Sequence, residues 1–191
     1  MVAVGFSPRF REYAVASRSD ARTRWPKYNP AFILDRMANT YTSLHYHIIF
    51  STKNREPWIR SEIEQRVWSY LGGIAREHDL KPLRIGGIDN HVHLLVGIPP
   101  TIAISKAVQQ IKGGSSGWIK ETFSGLGGFG WQDGYGAFTV SKSLIGEVDH
   151  YIATQPEHHR LKTFEEEYRA FLEKHEVPYD ERYLFDGEML G

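Results

Sequence analysis

The strongest constraint on the fold is the order in which two hydrophobic periods alternate between Tyr41 and Gln155. The stretch "YTSLHYHIIFS" (41–51) is rich in aromatic and β-branched residues and reads as a strand, ending in the polar loop "TKNREP". Residues 61–78 carry Ile63, Val67, Tyr70, Leu71 and Ile74 at helical spacing, with Ser61 as N-cap. Two short strands, 82–88 and 91–97, flank the turn-forming pair Asp89-Asn90. A second helix runs from about Thr101, with Ile104, Ala107, Val108 and Ile111 on one face, and Gly113-Gly114 is expected to interrupt or bend it. After the Gly-rich loop "SGLGGFGWQDGYG", "AFTV" is a short strand, Ser141 or Ser143 caps a helix reaching about Gln155, and a charged helix covers roughly 163–175. The order β-α-β-β-α-β followed by helices is that of a ferredoxin-like α+β domain. Its antiparallel sheet is expected to carry helices on one face and leave the other free, with additional helices C-terminal to it, one of which carries Tyr151.

Composition limits what such a domain can do. With 191 residues, 41% hydrophobic and 24% charged, the chain is long enough for one domain with a sizeable core. It has no cysteine, which excludes disulfides, thiolate metal sites and cysteine nucleophiles. No apolar run reaches the length of a membrane span and the N-terminus lacks a signal-peptide core, so a cytoplasmic location is expected. Residues 1–36 differ from the rest: they are Arg-rich, contain Pro8, Pro26 and Pro30, and show no sustained period. Residues 1–38 are therefore read as an extension outside the core, and 39–191 as the domain. The formal net charge is zero, but residues 1–36 hold seven Lys/Arg against three Asp/Glu, and residues 157–191 five against ten. An acidic tail thus masks any positive face in the middle, and net charge decides nothing about a nucleic-acid partner.

Within the second hairpin strand stands "HVHLLV". Side chains at i and i+2 on a strand share a face, so His91 and His93 project side by side while Val92 turns into a core. Two adjacent imidazoles suit one metal ion, and two polar residues on a solvated face are the plain alternative. Downstream, in "EVDHYIATQPEHH", Tyr151 and Gln155 are four apart on a predicted helix and share its face. Two imidazoles and an amide oxygen suit a divalent cation such as Mg²⁺ or Mn²⁺, and the tyrosine beside them is a nucleophile candidate.

These residues carry a resemblance. Over roughly 39–185 the chain resembles the HUH single-tyrosine transposases of small bacterial insertion sequences, a group related to the REP-associated tyrosine transposases. The matching pieces are "YTSLHYHIIFSTKNR", "DNHVHLLV", "WQDGYGAFTVSKS", "YIATQPEHH" and "TFEEEYRAFLEKHEVPYDERYLF". The resemblance implies that His91, His93 and Gln155 bind the metal and that Tyr151 attacks DNA. It also implies a homodimer, with the tyrosine helix of one subunit able to complete the site of the other, and substrates that are single-stranded DNA with hairpin ends. One departure is Asn90, where an acidic residue is expected directly before the histidine pair; Asp89 sits one place earlier. Tyrosine chemistry fits the residue types. Attack on a phosphodiester stores its energy in a 5′-phosphotyrosine and frees a 3′-OH, so no water-activating carboxylate cluster is needed. A phenol of pKa about 10 is a poor nucleophile at neutral pH, so cation and phosphate geometry must assist it.

Other residues compete for or extend this site. His45 and His47 form a second His-x-His pair, expected to pack on the sheet face or support the site. His158 and His159 follow Pro156 and are read as structural or DNA-adjacent. Tyr135, between Gly134 and Gly136, is a rival nucleophile with no ligand residue one turn away. Lys53, Arg55 and Lys112 are candidates for phosphate contacts, and Trp131 for stacking on an unpaired base, worth roughly 1–3 kcal/mol. Two rival functions remain: a non-catalytic, domesticated single-stranded or hairpin DNA-binding protein of the same fold, and a metal-dependent hydrolase using bound water.

Overall fold

The computed structural model describes residues 41–185, and the extension expected over 1–38 lies outside the described residues. The elements follow the predicted order: β1 (His45–Ser51), α1 (Ser61–Glu77), β2 (Lys81–Ile88), β3 (His91–Gly97), α2 (Ile104–Thr122) and β4 (Gly136–Thr139). Four further helices come after them: α3 (Ile145–Ala153), α4 (Gln155–His158), α5 (Phe164–Lys174) and α6 (Glu181–Leu184). The sheet is antiparallel with strand order β2-β3-β1-β4, the ferredoxin-like arrangement. The histidine strand β3 and β1 are central, with Ser51 opposite His91, Ile49 opposite His93 and His47 opposite Leu95.

Strand alternation divides the side chains between two layers. Ile48, Phe50, Val92, Leu94 and Val96 face α1 and α2, where Val67, Leu71, Ala107, Val108 and Ile111 complete the main core. His47, Ile49, His91, His93 and Leu95 face the other way. That second face was expected to be free, and the structure corrects this. Ile49 and Leu95 are as apolar as their neighbours on the first face, and leaving them in water would forgo about 1.5–3 kcal/mol each. Phe164, Tyr168 and Leu172 of α5 cover Ile49 and Phe138, and Ile152 of α3 covers Leu95.

Two further expectations change. Gly113-Gly114 does not interrupt α2, which runs unbroken for 19 residues. Buried Ile111 and Ile119 anchor the turns on either side. A Cβ at Gly114 would lie 3.1 Å from Cδ1 of Ile74, so the glycine permits the close approach of α1. Conversely, the helix expected to run unbroken to Gln155 stops at Ala153, and a new turn starts at Gln155. Pro156 has no N–H to offer the carbonyl of Ile152, which breaks the ladder there. That carbonyl lies against β2, where a Cβ on Gly86 would come within 2.9 Å of it.

Candidate active site

β3 delivers His91 and His93 into the layer between the sheet and the C-terminal helices, where both are fully buried. Each ring is held at Nδ1 from outside. His91 Nδ1 lies 2.8 Å from Asn90 Oδ1, and with that oxygen as acceptor the ring donates from Nδ1 and presents a lone pair at Nε2. His93 Nδ1 lies 2.9 Å from His47 Nε2. Burial first, and then the neighbouring His93, hold His47 well below the ordinary imidazole range, so it is a neutral partner. The same two causes, in the same order, depress His91. His47 therefore supports the site from β1 and orients His93, whereas His45 stands outside the cluster. Asn90, the departure from the expected acid, is the residue that fixes the His91 ring.

The break before Gln155 places its amide beside these rings. Gln155 is fully buried, its Oε1 3.4 Å from His91 Nε2 and its Nε2 donating to Glu167 Oε1 over 3.0 Å. Tyr151, at the end of α3, donates its hydroxyl to the same Glu167 oxygen and packs edge-on to His93 and His47. Burial and then the charge of Glu167 push the phenol well above its usual value, so it is held as a neutral donor. The four residues singled out, His91, His93, Gln155 and Tyr151, thus come together in one buried cluster.

Glu167 and His159 complete that cluster and were not anticipated. Glu167, from α5, is 3% exposed. Its Oε2 lies 3.2 Å from His159 Nε2, 3.3 Å from His93 Nε2 and 3.6 Å from His91 Nε2. Burial alone would raise this carboxyl, but the hydrogen bond from His159 and the charge contact with His93 outweigh it and hold it well below the carboxylate range. The readable signal was periodicity. Phe164, Glu167, Tyr168, Phe171 and Leu172 form one helical stripe, so an acid stands on the apolar face of α5. Thr163 and Glu166 form a capping box that starts this helix and fixes its phase. His159, read as structural or DNA-adjacent, is drawn in because α4 is a single turn that folds back onto the site.

The arrangement suits a cation. His93 Nε2 is buried without a hydrogen-bond partner. His91 Nε2 faces the oxygens of Gln155 and Glu167, three acceptors with no donor among them. Such convergence calls for a positive charge beside it; His159, whose pKa Glu167 raises against the effect of burial, supplies one, and a metal ion can take its place. The donor set of imidazoles with amide and carboxylate oxygens matches borderline divalent ions.

The other candidates lie apart from this cluster. Lys53 is exposed, in the turn after β1 at the His91 end of the sheet. Arg55 pairs with Glu165 at 2.7 Å and donates to the Phe185 carbonyl at 3.0 Å. Lys112 donates to the carbonyls of Gln132, Asp133 and Gly134, and burial lowers its pKa to about 8. Trp131 packs edge-on to Phe50 and Phe129 and donates to Ser115 Oγ at 2.9 Å. Tyr135 is half-buried against the main core.

Known proteins share this framework. The family profile described as transposase IS200 like matches residues 40–155. The ISDra2 transposase TnpA of Deinococcus radiodurans is 29% identical over 117 residues, 59% of this chain and 84% of that protein. The transposase for insertion sequence element IS200 of Salmonella typhimurium is 28% identical over 130 residues, 65% of this chain and 85% of that protein. A crystal structure of a Deinococcus radiodurans protein described as a transposase matches with a TM-score of 0.51 and 28% identity, over 63% of this chain and 97% of that one. The matched span holds the whole sheet, the histidine pair, Tyr151 and Gln155, and the chain belongs to the IS200-like transposase family.

Proposed function

We propose that the protein nicks and rejoins single-stranded DNA at hairpin-bearing insertion-sequence ends, with Tyr151 as nucleophile and a divalent cation, Mg²⁺ or Mn²⁺, held by His91, His93 and Gln155. The observation that carries this reading is the placement of the Tyr151 hydroxyl in the same buried cluster as the converging acceptors of His91, His93 and Gln155. The Tyr151 oxygen attacks the scissile phosphorus and the P–O3′ bond breaks, leaving a 5′-phosphotyrosine and a free 3′-OH. Attack by a 3′-OH on that linkage reverses the step and rejoins strands. Glu167 Oε1 accepts the hydroxyl hydrogen bond and holds the phenol oxygen in place, while Asn90 and His47 fix the orientation of the two imidazoles. The cation, when bound, polarises the phosphate and offsets charge in the transition state. Lys53 and Arg55, on the loop beside His91, are proposed phosphate contacts, with Lys112 and Trp131 shaping the adjoining loop. The active species is proposed to be a homodimer working in the cytoplasm.

Labelled single-stranded hairpin DNA incubated with the protein and Mn²⁺ tests this. Wild type is expected to form a covalent adduct at the 5′ end, whereas Tyr151→Phe binds the DNA but forms none. The variant loses one oxygen and keeps its ring, so its fold is preserved. Free cut ends without adduct identify a hydrolase, and retention without cutting identifies a binding protein. An adduct mapped to Tyr135, or formed by Tyr151→Phe, overturns the assignment.

A further inference from the structure

Three of the imidazoles in the cluster share one arrangement. His91, His93 and His159 each engage Nδ1 with a partner outside the cluster: Asn90 Oδ1 at 2.8 Å, His47 Nε2 at 2.9 Å and the Lys162 carbonyl at 2.9 Å. Each turns Nε2 inward, and all three point at one atom, Oε2 of Glu167. Outer partners at Nδ1 and an inward-facing Nε2 are how proteins preset histidines as metal ligands, and an ion bound here would replace the hydrogen bond that His159 Nε2 donates to Glu167 Oε2. The separations fit the same role. Two donors about 2.1 Å from a shared ion stand roughly 3.0 Å apart at right angles and roughly 3.4 Å apart at the tetrahedral angle. The three nitrogens lie 3.2 to 3.6 Å from Glu167 Oε2, and the four ligand atoms all fall within 4.8 Å of one another. A carboxylate on the apolar stripe of a helix is costly to bury unless strongly paired, and all the pairing of Glu167 comes from the polar groups of this cluster.

We infer that His159 and Glu167 are ligands of the metal centre alongside His91 and His93, with Glu167 holding the ion through Oε2 and the Tyr151 hydroxyl through Oε1. This rests on the proposed metal site and goes beyond its two histidines and glutamine. The added ligands are the residue that caps α4 and one from α5, both beyond the 40–155 span that defines the family match. They change the chemistry of the site. Three imidazoles and a carboxylate favour Mn²⁺, Co²⁺ or Zn²⁺ over Mg²⁺, which prefers oxygen ligands and retains its water. They also tie the nucleophile to the cation through a single carboxylate, so the phenol oxygen is positioned relative to the ion by one rigid group.

Calorimetric titration of the full chain with MnCl2 and with MgCl2 tests the inference without reference to activity. Wild type is expected to bind Mn²⁺ at least about ten-fold more tightly than Mg²⁺. Glu167→Gln and His159→Ala are each expected to weaken Mn²⁺ binding by about 10–100-fold or more, with circular dichroism reporting whether the fold persists. If His91→Ala loses Mn²⁺ binding while Glu167→Gln or His159→Ala binds as wild type does, the four-ligand centre is overturned and the tyrosine reading stands. If wild type binds no Mn²⁺, both fall. Anomalous diffraction from wild-type crystals soaked in Mn²⁺ decides the matter even if the variants fail to fold. A peak bonded to Glu167 Oε2 and His159 Nε2 supports the inference. A peak on His91, His93 and Gln155, with Glu167 and His159 turned away, refutes it.

Discussion

At the scale of single residues, the site depends on groups that stand behind its imidazoles. Asn90 lies in the two-residue turn between β2 and β3, half-exposed, with its side-chain oxygen on His91 Nδ1. Removing that oxygen frees the His91 ring to rotate and to change tautomer, at the cost of one hydrogen bond, about 1 kcal/mol. Asn90→Ala is therefore expected to lower Mn²⁺ affinity by about 10–100-fold with only a modest fall in melting temperature, as read by calorimetry and thermal denaturation. An unchanged affinity would show that packing against Phe164, whose ring centroid lies 4.6 Å away, orients the ring by itself. His47 holds the same relation to His93, but as a buried residue its removal confounds stability with orientation. Asn90 is the cleaner probe. That the pair shares one face was legible from the i, i+2 spacing; what held each ring was not, because hydrogen-bond partners across strands do not show in a linear pattern.

At the scale of elements, the approach of α3 to the sheet sets where the tyrosine stands. Gly86 of β2 lies under the carbonyl of Ile152, and an added Cβ would sit 2.9 Å from that oxygen and 3.0 Å from Cγ2 of the same residue. Gly86→Ala must push α3 outward, carrying Tyr151 away from His93 and Glu167. The expected result is a destabilisation of about 1–3 kcal/mol and a fall in adduct formation larger than the lost fraction of folded protein explains. Denaturant titration alongside the adduct assay measures both. The order and type of β1 to β4, α1, α2 and α5 were readable because each carries an unambiguous period and punctuation. The covering of the second sheet face was not, since nothing local tells a strand which helices will reach it. The break between Tyr151 and Gln155 was signalled by Pro156, but the four-residue spacing that suggested one helix hid it. Glu167 was hidden among three consecutive glutamates at a helix start, where acids serve the helix dipole. Only the phase set by Phe164 and Tyr168 separates the inward one from the other two.

At the scale of the whole molecule, assembly and charge are the remaining determinants. The sheet ends in β2 on one side and the four-residue β4 on the other, and an uncovered edge is readily extended by a second copy. Light scattering at micromolar concentration is expected to report a dimer, and a monomer there would refute that part of the proposal. Among the described residues no helix is long and apolar enough to cross a membrane. The chain carries 23 basic and 23 acidic residues, so it has no overall attraction for a polyanion. Local charge must do that work, and the single buried carboxylate of Glu167 determines how. With His159 protonated between the Lys162 carbonyl and Glu167, the empty pocket is neutral; a divalent ion in place of that proton makes it one unit positive, and a phosphodiester then restores neutrality. Ion and DNA are therefore expected to be linked ligands, each raising the other's affinity by the same factor. In the Tyr151→Phe protein, which cannot cleave, hairpin DNA should bind more tightly with Mn²⁺ than with chelator, and Mn²⁺ should bind more tightly in the presence of DNA by an equal ratio.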